Sequence, residues 1–249
     1  MLQIIKKIYK SILSEKTRIK LHHIRFFIRG FFYSGSNVTC VCCNKSFTLF
    51  LPYGIVKRQN AACPSCNTLE RNRVLYLYLR DRTNFFYDKL TVLHFAPENK
   101  LEQIFRKMKN LSYISGDINP ELAMQQIDIQ SINYPDNHFD VIICSHVLGH
   151  VPDEPKALSE LRRVVKPDGS VIIMTKIYDD LSTTFEASGM QNTENQEIFR
   201  KHGKDFPERL KTGGFEVSII DLGKEVGNLA SAKYGLGEND LIYLCKRKA

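Results

Sequence analysis

FDVIICSHVLGHVPDEPKALSELRRVVKPDGSVIIMT, residues 139–175, holds two apolar runs with a helical stretch between them. FDVIICS (139–145) and SVIIMT (170–175) are nearly continuous in apolar residues, as strands covered on both faces are. Pro155–Lys166 reads as the intervening helix, and Gly169 after Lys166-Pro167-Asp168 turns the chain into the second strand. The same alternation extends in both directions. TVLHFA (91–96) and YISGD (113–117) precede it, FEVSII (215–220) and LIYLCK (241–246) follow, and Lys100–Lys109 and Asp205–Thr212 add helices. Gly213-Gly214 marks another turn. The pattern predicts an α/β domain, a mostly parallel sheet with helices on both faces. Tyr178–Gln196 is polar and irregular and predicts a loop or lid over the open end of the sheet.

Ligands of such sheets sit outside the carboxyl ends of the strands, where strand order reverses. His94–Glu98, Asp117, Asp128 and Cys144–His150 are therefore the candidates. Asp117, ending the second strand, suits the hydroxyls of a ribose; its plainer reading is a solvated turn aspartate. Asp128-Ile129 suits an adenine, the carboxylate on the amino group and the isoleucine on a ring face, with a role without ligand as the alternative. Cys144 reads as a buried strand residue.

Cys40, Cys43, Cys63 and Cys66 form two CxxC pairs separated by nineteen residues. Four thiolates at about 2.3 Å complete a tetrahedral zinc, and each CxxC bend supplies two of them. Asn44 stands where a left-handed residue is often wanted, and Pro64 stiffens the second bend. Cys42 reads as a bystander. The alternative is a disulfide pair or four buried thiols, but seven cysteines with two close pairs suit a reducing compartment. The first residues also lack a signal peptide's apolar run and cleavage site. The expectation is a cytoplasmic protein with a structural zinc. Asn67 followed by Glu70 predicts a capping box and a helix over Leu69–Arg82, linking this module to the main domain.

The net charge of +8 is concentrated early. Residues 1–39 carry eight basic side chains against Glu15 alone, leaving the rest near neutral. Ile5, Ile8, Ile12, Ile24, Phe27, Ile28 and Phe31 recur at helical spacing among them. A basic amphipathic arm of this kind lies on an anionic membrane surface or an RNA backbone, or packs on its own domain. At 249 residues the chain holds one sizeable core and a small module. The division is an arm at 1–36, a four-cysteine module with its linking helix at 37–83, and the α/β domain at 84–249.

The segment 126–175, with DNHFDVI and LRRVVKPDGS, resembles class I S-adenosylmethionine-dependent methyltransferases. CPSCNTLERNR followed by VLHFAPE is similar to a bacterial subgroup with an N-terminal cysteine module, often associated with polysaccharide functions. The resemblance implies a Rossmann-like seven-stranded sheet with its last strand antiparallel. It places His94, Phe95, Ala96, Pro97 and Glu98 at the methionine end of the cofactor. Asp117 with Ile118 goes to the ribose, Asp128-Ile129 to the adenine, and Ser145-His146 near the methyl group. Three positions depart from the pattern. Phe95-Ala96-Pro97 has no glycine turn, Gly149 replaces a usual Glu, and NQEIFRKHGKDF lacks an Asp-His pair and puts His202 at a tyrosine position.

Methyl transfer needs chiefly that the nucleophile be held in line with the sulfonium. A sugar hydroxyl would also need a base, for which His146, His94 and His150 are the candidates. The expected acceptor is a small molecule or a carbohydrate-linked group, with a peripheral position at the inner membrane surface open to the arm. An RNA methyltransferase gripping phosphates, and a scaffold that keeps the fold without the cofactor, are the competing expectations.

Overall fold

The computed structural model describes residues 25–26, 28–54, 57–191, 197–237 and 239–248. Most of the expected amphipathic arm, residues 1–24 and 27, lies outside them. Of the remainder, residues 28–32 are helical, and the first strand begins at Ser34. No helix among the described residues is long and apolar enough to cross a membrane.

Two small hairpins open the molecule. β1 (Ser34–Cys40) pairs with β2 (Lys45–Phe47), and β3 (Leu51–Tyr53) with β4 (Arg58–Ala62), each antiparallel. Helix α1 (Glu70–Asp81) follows. Its start differs from the expectation in one respect. Leu69 is the N-cap and Asn72 reaches back to accept from the Leu69 N–H at 2.8 Å. Asn67 instead takes a φ of 60° to close the bend before it.

The α/β domain runs β5 (Leu90–Phe95), α2 (Asn99–Phe105), β6 (Leu111–Asp117), β7 (Gln125–Gln126) and β8 (Phe139–Ser145). Helix α3 (Glu154–Val164) and β9 (Val165–Met174) come next, then β10 (Phe185–Gln191), β11 (Glu197–Lys201) and α4 (Phe206–Thr212). It ends with β12 (Phe215–Ile220), α5 (Leu222–Glu225), α6 (Asn228–Tyr234) and β13 (Ile242–Arg247). Asp153 caps α3 by accepting from the Lys156 N–H, with Pro155 in its first turn.

Seven strands form one sheet in the order β12-β13-β9-β8-β5-β6-β7. β13 is antiparallel to both neighbours, and the other pairings are parallel. Side chains alternate between two cores, as the pleat dictates. Val92, Ile143, Ile172 and Ile242 pack with α1, Phe85, Phe105 and the cysteine module. Leu93, Phe95, Ile142, Cys144, Val171 and Ile173 pack with α3 and α4 on the other face. Six of the seven strands coincide with the apolar runs. The seventh, Gln125–Gln126, is two polar residues beside Gly116 and Asp117 and has no apolar run to reveal it. Residues 178–196, expected to be irregular, contain β10, which pairs with β11 as a hairpin.

Candidate active site and metal centre

The four expected zinc ligands come together. Their sulfurs all lie within 4.8 Å of one another, with Cys40 and Cys66 at 3.6 Å and Cys43 and Cys63 at 3.8 Å. A tetrahedron with 2.3 Å metal–sulfur bonds has edges of about 3.8 Å, whereas a disulfide is about 2 Å. The two bends are twins. Asn44 and Asn67 have φ of 53° and 60° and donate their N–H groups to the carbonyls of Cys40 and Cys63. Thr68 Oγ1 touches both Cys40 and Cys66 sulfurs, at 3.3 and 3.2 Å. Hydrogen bonds from Cys42, then Cys43, Cys63 and Cys66 pull the Cys40 thiol down, while the same crowding pushes Cys63 up. Cys66 is drawn down as well and Cys43 pushed up, so four thiolates this close together need a cation among them, which a zinc ion would supply. These residues fit that metal. Cys42 stays outside the quartet, buried, its sulfur 3.7 Å from the Asn72 carbonyl.

Strand order reverses at β5, flanked by β6 and β8, so the crevice opens past Phe95 and Ser145. Both exits are left-handed at non-glycine residues: Ala96 has φ 45° and His146 φ 57°. The turn after β5, which has no glycine, thus takes a left-handed backbone at Ala96. Ala96 donates to the Gly116 carbonyl at 2.9 Å and His146 to that of Met174 at 2.7 Å, which holds the strained residues in place.

Glu98 gathers the polar groups of this crevice. Its Oε1 accepts from Asn72 Nδ2 at 2.7 Å and Ser145 Oγ at 3.3 Å, and Arg71 Nε lies 3.8 Å away. His94 Nε2 stands 3.4 Å from Oε2. Burial alone would raise the Glu98 carboxyl, but His94 and Arg71 outweigh it and keep the group ionised. His94 is wholly buried, with Nδ1 2.9 Å from Tyr113 Oη, so it orients Glu98 from beneath.

His146 is pushed down to about 3, by burial first and then by Arg71. The imidazole is neutral at physiological pH and a weak proton store. His150 is exposed on a short 3-10 turn, its Nδ1 2.7 Å from the Glu197 carbonyl. Of the three candidate histidines, His94 and His146 share the crevice around Glu98.

Asp117 ends β6 half-buried, with Oδ1 accepting from the Asn119 N–H at 2.8 Å. Asp128 already binds the Gln130 N–H and amide through its carboxylate. Ile129 is buried in the core, while Ile118, Leu122 and Met124 are the exposed apolar side chains of this edge.

Sequence reasoning missed two residues of the crevice and one network beside it. Arg71 and Asn72 come from α1, in the cysteine module; the LERNR stretch was their only signal, and no spacing rule reads it. Glu154 is buried and accepts from His202 Nε2 at 2.7 Å and Arg209 Nε at 2.7 Å, with Thr175 Oγ1 2.9 Å from His202 Nδ1. Arg200 donates to the carbonyls of Leu148, Val151 and Pro152. Together these tie β11 to the start of α3, and His202 serves there as a structural link.

A doubly wound sheet with one antiparallel strand and a polar crevice at its switch point is the Rossmann-like methyltransferase fold. The family model described as "Methyltransferase domain" matches residues 104–173. The ubiquinone/menaquinone biosynthesis C-methyltransferase UbiE of Psychromonas ingrahamii is 36% identical over 83 residues, 32% of this chain and 31% of that protein. The Burkholderia cenocepacia enzyme of that name is 31% identical over 87 residues, 34% of this chain and 35% of that protein. The chain thus spans about a third of the length of these curated relatives. The solved structure of the cyclase SpnF superposes with a TM-score of 0.52 at 15% identity, covering 81% of this chain and 89% of that one. That neighbour is a cyclase, so the fold by itself does not fix the chemistry.

Proposed function

We propose that this chain is an S-adenosylmethionine-dependent methyltransferase acting on a small-molecule or carbohydrate-linked acceptor, in the bacterial subgroup with a four-cysteine zinc module. The observation that supports it most is the crevice at the β5/β8 switch, where a left-handed turn, an ionised Glu98 and Asp117 surround the ground a nucleoside-linked amino acid needs. The methyltransferase match over 104–173 covers the strands on which half of that crevice stands.

When bound, S-adenosylmethionine supplies a methyl group activated by its positive sulfur. The protein's part is placement. Asp117 offers its free carboxylate oxygen to the ribose hydroxyls, and the exposed Ile118, Leu122 and Met124 cover an apolar edge. Ser145 and His146 line the exit of β8. His146, neutral, accepts a hydrogen bond from an acceptor hydroxyl and orients it; with its pKa so low it holds a proton only briefly. That favours acceptors that arrive ionised or lose their proton to water. Cys40, Cys43, Cys63 and Cys66 would hold zinc in a structural role, fixing α1 against the crevice. The basic arm, carrying the exposed Phe31 and Phe32, would rest on an anionic membrane surface.

Titrating S-adenosylmethionine and S-adenosylhomocysteine calorimetrically into wild type and Asp117→Ala tests the reading. Wild type should bind both, and the variant should bind at least tenfold more weakly, about 1.4 kcal/mol. Absence of heat for both ligands with the folded wild type would sink it.

A further inference from the structure

Among the described residues three buried side-chain polar atoms lack a hydrogen-bond partner, all at this crevice, and two of them are of opposite sense on different modules. Glu98 Oε2 is an acceptor and Arg71 Nε a donor, and they belong to the two sides of the cleft. Glu98 is the N-cap of α2 in the α/β domain; Arg71 lies in the first turn of α1 in the cysteine module. Their closest approach, 3.8 Å between Arg71 Nε and Glu98 Oε1, is an ion pair too long for a hydrogen bond. Glu98 Oε1 is already held by Asn72 and Ser145, so only Oε2 is left to accept. His94 Nε2, fully buried and also unsatisfied, faces that oxygen from below.

Such a pair of orphans is destabilising unless a ligand satisfies it. The complementary ligand carries an ammonium and a carboxylate a few ångströms apart. An α-amino acid is that group. The twelve-residue helix α1 also presents its positive end here, which favours the carboxylate on the Arg71 side.

We infer that the amino-acid end of the cofactor is gripped between the two modules, its ammonium by Glu98 and its carboxylate by Arg71. The inference rests on the methyltransferase reading above and adds to it a coupling. Four residues separate Arg71 from the metal-ligand position Cys66, and Thr68 between them touches two of the four sulfurs. A ligand that draws Arg71 into the cleft therefore holds the helix whose base is the metal knuckle. By linkage, whatever firms the knuckle strengthens the grip, and the ligand in turn retains the metal.

The test compares S-adenosylhomocysteine with 5′-methylthioadenosine, which lacks the amino-acid end. Calorimetry on wild type should show at least tenfold tighter binding of the former. Arg71→Ala should cut that ratio at least fivefold while leaving 5′-methylthioadenosine within twofold, and Arg71→Lys, which keeps the charge, should fall between. Metal release to a chromogenic chelator should slow with S-adenosylhomocysteine in wild type and not in Arg71→Ala. Equal weakening of both ligands in the two variants, no change in either, or metal release indifferent to S-adenosylhomocysteine in wild type would overturn the inference. Failure of both ligands to bind wild type would instead remove the methyltransferase reading beneath it.

Discussion

Ala96 occupies a backbone conformation that costs a non-glycine residue roughly 1–2 kcal/mol. The hydrogen bond from Ala96 N–H to the Gly116 carbonyl holds this turn left-handed without a glycine. A second residue under tension is Asp240, pushed up to about 6 by burial first and then by Glu70, with Arg71, Arg58 and Arg73 opposing. Its protonated form is the one the fold favours. Its contribution is complete below the unfolded value near 4 and is lost as pH rises through about 6. Asp240→Asn should therefore stabilise the protein at pH 8 by about 1–2 kcal/mol, allowing for partial exposure, and flatten the decline between about pH 4 and 6. Denaturant melts at pH 4.5 and 8 check this; equal stability of the variant and wild type at pH 8 would contradict it.

At the scale of elements, the knuckles and α1 behave as one unit. Cys40→Ser should drop metal content far below one zinc per chain and lower the melting temperature, while Cys42→Ala should keep the metal, because its sulfur lies outside the quartet. Metal analysis of protein purified without chelator distinguishes the two. Much of this was legible beforehand. The CxxC spacing named all four sulfurs, and the apolar runs named six strands, since continuous burial leaves an unbroken apolar signature. What escaped notice lacked periodicity: the two-residue β7, the hairpin of β10 and β11, and the short α5 and α6. The candidate site was half legible. His94 to Glu98 and Ser145-His146 follow from where strands end, but Arg71 and Asn72 reach the crevice only because the cysteine module folds back over β5, which no local pattern encodes. The cap at Leu69 shows the same limit. Asn67 looked like the cap because it precedes a Glu at the right interval, yet it was needed to close the knuckle, and Asn72 took over.

At the scale of the molecule, one buried side chain ties the cysteine module to the far end of the chain. Arg73 is fully buried, lies 4.0 Å over the Phe50 ring, and donates to the carbonyls of Ala61, Thr68, Tyr234 and Gly235. Arg73→Leu leaves those carbonyls without their donor and should cost about 3–5 kcal/mol. Thermal unfolding should show it, together with faster metal loss to a chelator; a loss under 1 kcal/mol would mean that the module is seated otherwise. Gly235 makes this possible, since at its φ of 58° an added Cβ would run into Phe50. The partners of Arg73 at Tyr234 and Gly235 are 161 and 162 positions further along the chain. On the ribosome, the four sulfurs emerge within a short stretch and can capture their metal early. The seat for that assembled module is not made until residue 235 has been synthesised. A metal captured at that stage would wait through most of translation for its module to be seated, so the seating is timed by the arrival of the last helix rather than by the first sulfur.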